Sequence, residues 1–219
     1  MSFDYSLLVK YGPQLLDGFR LTVLVWLGGS AIAVVLGFAL GCALSLGNCT
    51  LNVPIRAYVE FFRGTPLLVQ LFVVYYGGPS IGITLDAFSV GVAGLGLYGA
   101  AYFAEIFRAG FASIPRGQIE AARSFGIPRW SRIRHVIVPQ MLVLTVPPGV
   151  TLLIILLKDT AILSIVTVPE LTFQVTGMTI ETFAFVEPFA VLAALYWAMT
   201  ELVSYLGRRA EVRLGAYLR

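Results

Sequence analysis

The sequence predicts an all-α, polytopic membrane protein with five transmembrane helices, and three observations predict it. Of 219 residues, 58% are hydrophobic and only 12% are charged, whereas roughly a quarter of a soluble domain is charged. The charges are clustered, so that long stretches contain none. Once those stretches are taken as spans, twelve of the fifteen Lys and Arg residues fall on one side of the bilayer.

The elements follow in order. Phe3, Leu7, Leu8 and Tyr11 stand at helical spacing with Asp4 and Lys10 among them, which suits a short helix lying in the membrane interface. Pro13 then starts the first span. Residues 21–55 contain no Asp, Glu, Lys or Arg; this stretch is longer than a signal-sequence core and has no basic segment before it, so it reads as a retained helix. Cys42 and Cys49 share a helical face there without bonding reach, as small packing residues. Further uncharged stretches run over 64–85, 87–104 and 136–157, each long enough to cross about 30 Å of hydrocarbon, which takes about 20 residues. A fifth, 188–207, is interrupted only by Glu201. Gly37 with Gly41, and Gly96 with Ala100, allow helices to approach closely within the bundle. With no repeat and no low-complexity tract, residues 1–219 read as one transmembrane domain.

Basic residues set orientation, because cytoplasmic loops retain them. Arg56 and Arg63 lie between spans one and two; Arg108, Arg116, Arg123, Arg129, Arg132 and Arg134 between three and four; Arg208, Arg209, Arg213 and Arg219 after five. Lys10, Arg20 and Lys158 remain for the other face. An odd span count agrees with this bias: the amino terminus is expected outside and the carboxyl terminus in the cytoplasm. The connection carrying Glu170, Glu181 and Glu187 is then an outer one.

One cytoplasmic connection is longer than a loop needs to be. Pro115 opens a short helix, residues 119–123 continue it, Gly126 ends it and Pro128 starts another in a new direction. Ala121 and Ala122 give this helix a low profile suited to a cleft on another protein, with Glu120 and neighbouring arginines such as Arg129 supplying charge at the rim. Enzymatic chemistry is not expected. A phosphate-binding loop needs a glycine-rich turn ending in Lys, and the only lysines, Lys10 and Lys158, do not follow one. His135, the sole histidine, has no Cys or carboxylate partner for a metal.

The order Glu120-Ala121-Ala122, three residues, Gly126, then Val136, Val138 and Pro139 resembles the EAA loop of ABC importer permeases, with Val in place of the usual Ile and Leu. Residues 60–70 (EFFRGTPLLVQ), 101–108 (AYFAEIFR), 157–160 (LKDT) and 168–171 (VPEL) resemble the polar amino-acid branch of that family. The resemblance implies the type I importer permease fold, two five-helix subunits side by side with a path between them. It implies a coupling loop over about 114–139 in which Glu120, Ala121, Ala122, Gly126, Arg129 and Pro139 engage an ATP-binding cassette ATPase dimer. ATP and magnesium belong to that partner, and no cofactor belongs to this chain. The other implied partners are a second permease subunit, identical or paralogous, an extracytoplasmic solute-binding protein and the lipid of a bacterial inner membrane; nothing points to nucleic acid.

The competing class is an ion-coupled secondary transporter of small polar solutes. Proton coupling generally uses intramembrane carboxylates or histidines. The middles of spans one, two and four contain none, and Glu105 is expected to pair with Arg108 one helical turn away. Sodium coupling through backbone carbonyls stays open. Lys158 and Asp159 admit two readings: pairing at the outer interface, or receiving the charged ends of a passing polar amino acid, opine or ectoine-like zwitterion. Gln70, Thr151 and Thr160 are candidate polar contacts on the same path.

Overall fold

A computed structural model describes residues 5–47 and 49–216, and among them every element is helical. The first helix, α1 (Tyr5–Ser45), is continuous through Pro13, so there is no separate interfacial helix ending there. Phe3 and Asp4 of that expectation lie outside the described residues. A proline inside a helix frees the carbonyl four residues earlier, and here that residue is Val9, 81% exposed at the open end of the helix, where water can satisfy it.

Helix α1 packs along α4 (Ala87–Ala112). A side chain at Gly37 would strike Phe103, and one at Gly41 would strike Phe107. Farther up, Gly29 abuts Leu95 and Gly96 abuts Ile32. Between helices in lipid, apolar burial supplies little net drive, so close approach of backbones carries the association. The paired positions rise together along both helices, which makes α1 and α4 parallel.

That parallel seam decides the status of the intervening chain. Two parallel spans require an odd number of crossings between them, and the intervening helices are α2 (Cys49–Gly64) and α3 (Leu67–Phe72), the latter prolonged by a π turn and a 3-10 turn to Ile81. The two arms are bent by 103° and together form one broken crossing. Leu71 meets Gly94, and Tyr75 and Tyr76 bond to Thr167 and Ile165 at 2.8 and 2.9 Å. The second span therefore starts well before the uncharged stretch 64–85. Arg56, Glu60 and Arg63 ride on its first arm rather than in a connection.

The fourth span also starts early. Helix α6 (Arg129–Arg132) runs through a π turn, Ile133–Ile137, into α7 (Val138–Asp159). Pro139 cannot donate to the carbonyl four residues back, and widening the ladder into a π turn accommodates it. Gln140 Nε2 donates to the Val136 carbonyl at 2.7 Å. After α7 come a 3-10 segment, Thr160–Val166, then α8 (Leu171–Thr182) and α9 (Val186–Ala216). Gly99 faces Leu156 and Gly110 faces Thr145, so α7 is antiparallel to α4; Gly207 faces Val150 while Tyr196 bonds Thr160 at the far end of α7, so α9 is antiparallel to α7. Among the described residues four helices are long and apolar enough to cross a membrane, and the bent pair, taken as one crossing, makes five spans. The start of α1 at Tyr5 and the end of α9 at Ala216 thus lie on opposite sides of the bundle, Ala216 on the side of the connection after α4. Leu95, Phe103, Leu156 and Leu163 fill the core between α1, α4 and α7, while Val35, Trp197 and Leu202 point outward.

Candidate functional site

The connection after α4 is a built element. Helix α5 (Arg116–Ser124) follows Pro115, and Gly126 adopts φ +71°. Gly126 N–H donates to Arg123 at 2.9 Å and Ile127 N–H donates to Ala122 at 3.1 Å. These two bonds make a Schellman stop, the left-handed closing position of which favours glycine. The turn drives Phe125 outward, 83% exposed, and Trp130 stands 73% exposed beyond it. Glu120, Ala121 and Arg129 are exposed on the same connection. Ala122 departs from expectation: it is 6% exposed, turned inward beneath its own helix, so it supports the loop's shape and presents no outer surface. Pro139 is half-buried in the helix that descends from the loop.

The expected path residues separate into two groups. Gln70 is fully occupied on its donor side: Nε2 donates to the Phe62 carbonyl at 3.1 Å, the Thr65 carbonyl at 3.1 Å and Thr65 Oγ1 at 2.7 Å. It braces the break between α2 and α3, and it also borders a cavity of about 520 Å³ between those helices and α4. Thr160 is wholly buried, donating to Leu157 at 2.7 Å and meeting the Tyr196 hydroxyl at 3.0 Å. It too is structural. Thr151, by contrast, is exposed and lines a cavity of about 370 Å³ between α2, α4 and α7. Lys158 is exposed and Asp159 half-buried, and among the described residues neither makes an ion pair. Lys158 is nonetheless an electrostatic neighbour of Asp159, so both readings of these two residues stand.

Asp159 is an electrostatic neighbour of Tyr98, whose hydroxyl lies 3.0 Å from that of Tyr102 one turn along α4. One turn farther, Glu105 accepts from Arg108 Nη2 at 2.6 Å and Nε at 3.0 Å, both at Oε2. Arg63 holds its guanidinium 5.3 Å from the centre of the Tyr102 ring. A line of polar groups thus descends from Asp159 along one side of α4. Sequence reasoning missed the tyrosines and Arg63. The four-residue spacing of Tyr98 and Tyr102 was the available signal.

Glu170 was also missed as a structural centre. It is fully buried at the start of α8, where Oε2 accepts from Thr172 N–H at 2.8 Å and Oε1 from Phe173 N–H at 2.9 Å. Tyr196 of α9 reaches Oε2 at 3.3 Å and Thr22 of α1 at 3.5 Å. Burial pushes the carboxyl up to about 7 against the lowering effect of these donors. The group caps α8 and ties it to α1 and α9.

This five-span bundle with a helix-turn loop after its third span has known counterparts. Residues 22–215 match the family model described as binding-protein-dependent transport system inner membrane component. The chain belongs to that family. Over 99% of its length it is 31% identical to "Probable amino-acid ABC transporter permease protein YckA" of Bacillus subtilis, covering 96% of that protein. It is 35% identical over 95% of its length to "Probable glutamine ABC transporter permease protein GlnM" of the same organism, covering 98% of it. The crystal structure of an amino acid ABC transporter with histidines matches with a TM-score of 0.88 and 34% identity, covering 97% of this chain and all of that one. A subunit of the MetNI methionine ABC transporter, 22% identical, shares the fold at a TM-score of 0.79, over 94% of this chain and 98% of that one. The chain is a multi-pass permease subunit with the ABC importer fold.

Proposed function

We propose that this permease forms half of the path by which an ATP-driven importer carries a polar amino acid, or a related small zwitterion, across the inner membrane. The relatives named for amino acids and glutamine support the solute class. The observation that carries the coupling is the α5 loop, a rigidly capped helix whose exposed Phe125 and Ala121 nothing among the described residues covers. An ATPase dimer, holding ATP and magnesium, takes this surface in a cleft, with Glu120, Arg123 and Arg129 at the rim. A second permease subunit completes the path, and an extracytoplasmic binding protein delivers the solute. The loop side is cytoplasmic and the amino terminus outside: even with Arg56 and Arg63 assigned to the broken span, the remaining basic residues cluster after α4 and after α9.

Asp159, half-buried beside Tyr98, receives the solute's ammonium group, and Lys158 stands near for the carboxylate. Asp159→Asn is expected to lower uptake about tenfold or more, since removing one member of a partly desolvated charge pair costs a few kcal/mol, while the complex still assembles. Co-purification with the ATPase, followed by uptake and hydrolysis assays in liposomes, measures both. Uptake by the permease in liposomes without any ATPase would instead establish a secondary transporter.

A further inference from the structure

Arginines and apolar side chains share one face of α9 where the last span leaves the bilayer. Glu187 and Arg209 stand near opposite ends of that helix, about 33 Å apart at 1.5 Å per residue, which is close to the hydrocarbon thickness of about 30 Å. Arg208, Arg209 and Arg213 therefore meet the headgroup region on the side of the connection after α4. With Tyr205 and Val212 they bound a cavity of about 330 Å³ on the surface of the helix. Arg208 reaches Glu201 at 3.9 Å, both side chains being more than half exposed. Arg209 holds its guanidinium 4.5 Å from the centre of the Tyr205 ring, a contact that leaves its in-plane N–H donors without an acceptor. Among the described residues neither Arg209 nor Arg213 makes an ion pair. One and two turns back toward the bilayer, Leu206 and Leu202 are exposed on the same side of the helix, while Gly207 on the opposite side packs against Val150.

We propose that this face is a binding site for one anionic phospholipid, whose phosphodiester is held by Arg209 and Arg213 with Arg208 at the flank, and whose acyl chains lie along Leu202 and Leu206. Arg209 and Arg213 are one helical turn apart, so both reach a single phosphate, and an arginine fork matches phosphate oxygens at two points. The cavity lies in the size range of small-molecule sites. A zwitterionic headgroup would bring its own cation among three guanidinium groups, so the site selects for net negative charge. A soluble phosphate would leave the apolar stripe of Leu202 and Leu206 unused, and a second copy of this chain docked on the same face about a twofold axis would set these arginines against one another. Both considerations favour a lipid. Only 6% of the most apolar stretch of α9 is buried within the chain, so a lipid fastened at Arg209 and Arg213 supplies the inner end of this span with contacts that the bundle does not. The site needs only the membrane-spanning fold and is independent of which solute is carried.

The test titrates the whole transporter, purified in mild detergent, with palmitoyl-oleoyl phosphatidylglycerol or with phosphatidylcholine of the same chains, and counts bound lipid by native mass spectrometry. The first phosphatidylglycerol is expected to bind about tenfold more tightly than the choline lipid. Arg213→Gln alone should weaken it about fivefold, the contribution of one arginine near a membrane surface, and Arg209→Gln with Arg213→Gln about tenfold or more. Arg209→Lys with Arg213→Lys should keep most of the binding. Arg116→Gln with Arg123→Gln, which removes the same charge from α5 on the same side, should leave it nearly unchanged. Glycerol 3-phosphate, the same anion without chains, should not displace the lipid. Equal binding of the two lipids, unchanged affinity in the glutamine variants of α9, or an equal loss in the α5 pair overturns the site. Displacement by glycerol 3-phosphate overturns the lipid as its occupant. Phosphatidylglycerol held by the separated permease but not by the whole transporter would show that a partner subunit covers this face, which overturns the proposal as well.

Discussion

Replacing Glu170 should reveal how the outer half of the bundle is held. In Glu170→Ala, the Thr172 and Phe173 N–H groups lose an ionisable acceptor at 2.8 and 2.9 Å, and hydrogen bonds of that kind contribute about 1.5–3 kcal/mol each. The two hydroxyl contacts at 3.3 and 3.5 Å add little, because Tyr196 keeps Thr160 at 3.0 Å and Thr22 keeps the Gly18 carbonyl at 3.0 Å. Relief of the carboxylate's own desolvation offsets part of the loss, leaving a net destabilisation of about 2–4 kcal/mol. Glu170→Gln keeps one oxygen for one N–H and should cost about 1 kcal/mol. For a chain of this size each kcal/mol moves a melting midpoint by about 2–4 °C, so the Ala variant should melt about 4–16 °C lower. Heating detergent-solubilised permease and following its monodisperse peak by size exclusion measures this. An Ala variant within a degree of wild type, or a Gln variant as unstable as Ala, would refute the cap as the fastening of α8.

The same carboxyl predicts a pH dependence. Its folded pKa of about 7 lies above the ordinary 4.5, so its stabilisation is full below pH 4.5 and is lost as pH rises through 7; Glu170→Gln should gain on wild type between pH 5 and pH 8 in the same melting assay. At the loop, Phe125→Ser should reduce ATPase retained on purification while leaving permease yield unchanged, whereas Ala122→Trp should open the loop itself and speed tryptic cleavage after Arg123. Gly126→Val forces a side chain into φ +71°, about 1–2 kcal/mol of strain, and should uncouple hydrolysis from uptake in liposomes. Gly37→Leu, which collides with Phe103 across the α1/α4 seam, should abolish the monodisperse peak.

Spans three, four and five were legible because charge-free stretches of about 20 residues have few alternatives in a bilayer. The second was misplaced for the same reason. Arg56, Glu60 and Arg63 look like loop residues to a charge count, and only the run Gly64-Thr65-Pro66 hinted that a helix ends in mid-crossing. The α5 loop was readable from Pro115 and Gly126, which fix backbone shape locally. The direction of Ala122 was not, since alanine satisfies an inner and an outer face equally. Gln70 and Thr160 look like path residues in a sequence, yet a polar side chain deep in a bundle as readily bonds a freed carbonyl, and no pattern distinguishes the two uses. Tyr98 and Tyr102 act through partners on other helices, which periodicity within one helix does not reveal.

The α1/α4 seam has a mechanical consequence. Where the glycines of one helix sit against the side-chain bases of the other, neither helix can slide or roll by a fraction of a turn without collision, so the pair behaves as a stator. Any change of shape that alternately opens the two faces of the protein must therefore be absorbed by elements hinged to that pair. The joint at Gly64–Pro66 is the place for this: its arms are already bent by 103°, and the strap described across it is the Gln70 amide, with its Oε1 buried and unbonded. Gln70 is a splint on a lever, and the same three bonds that brace the joint in this pose are what a swing of α2 against α3 would have to break.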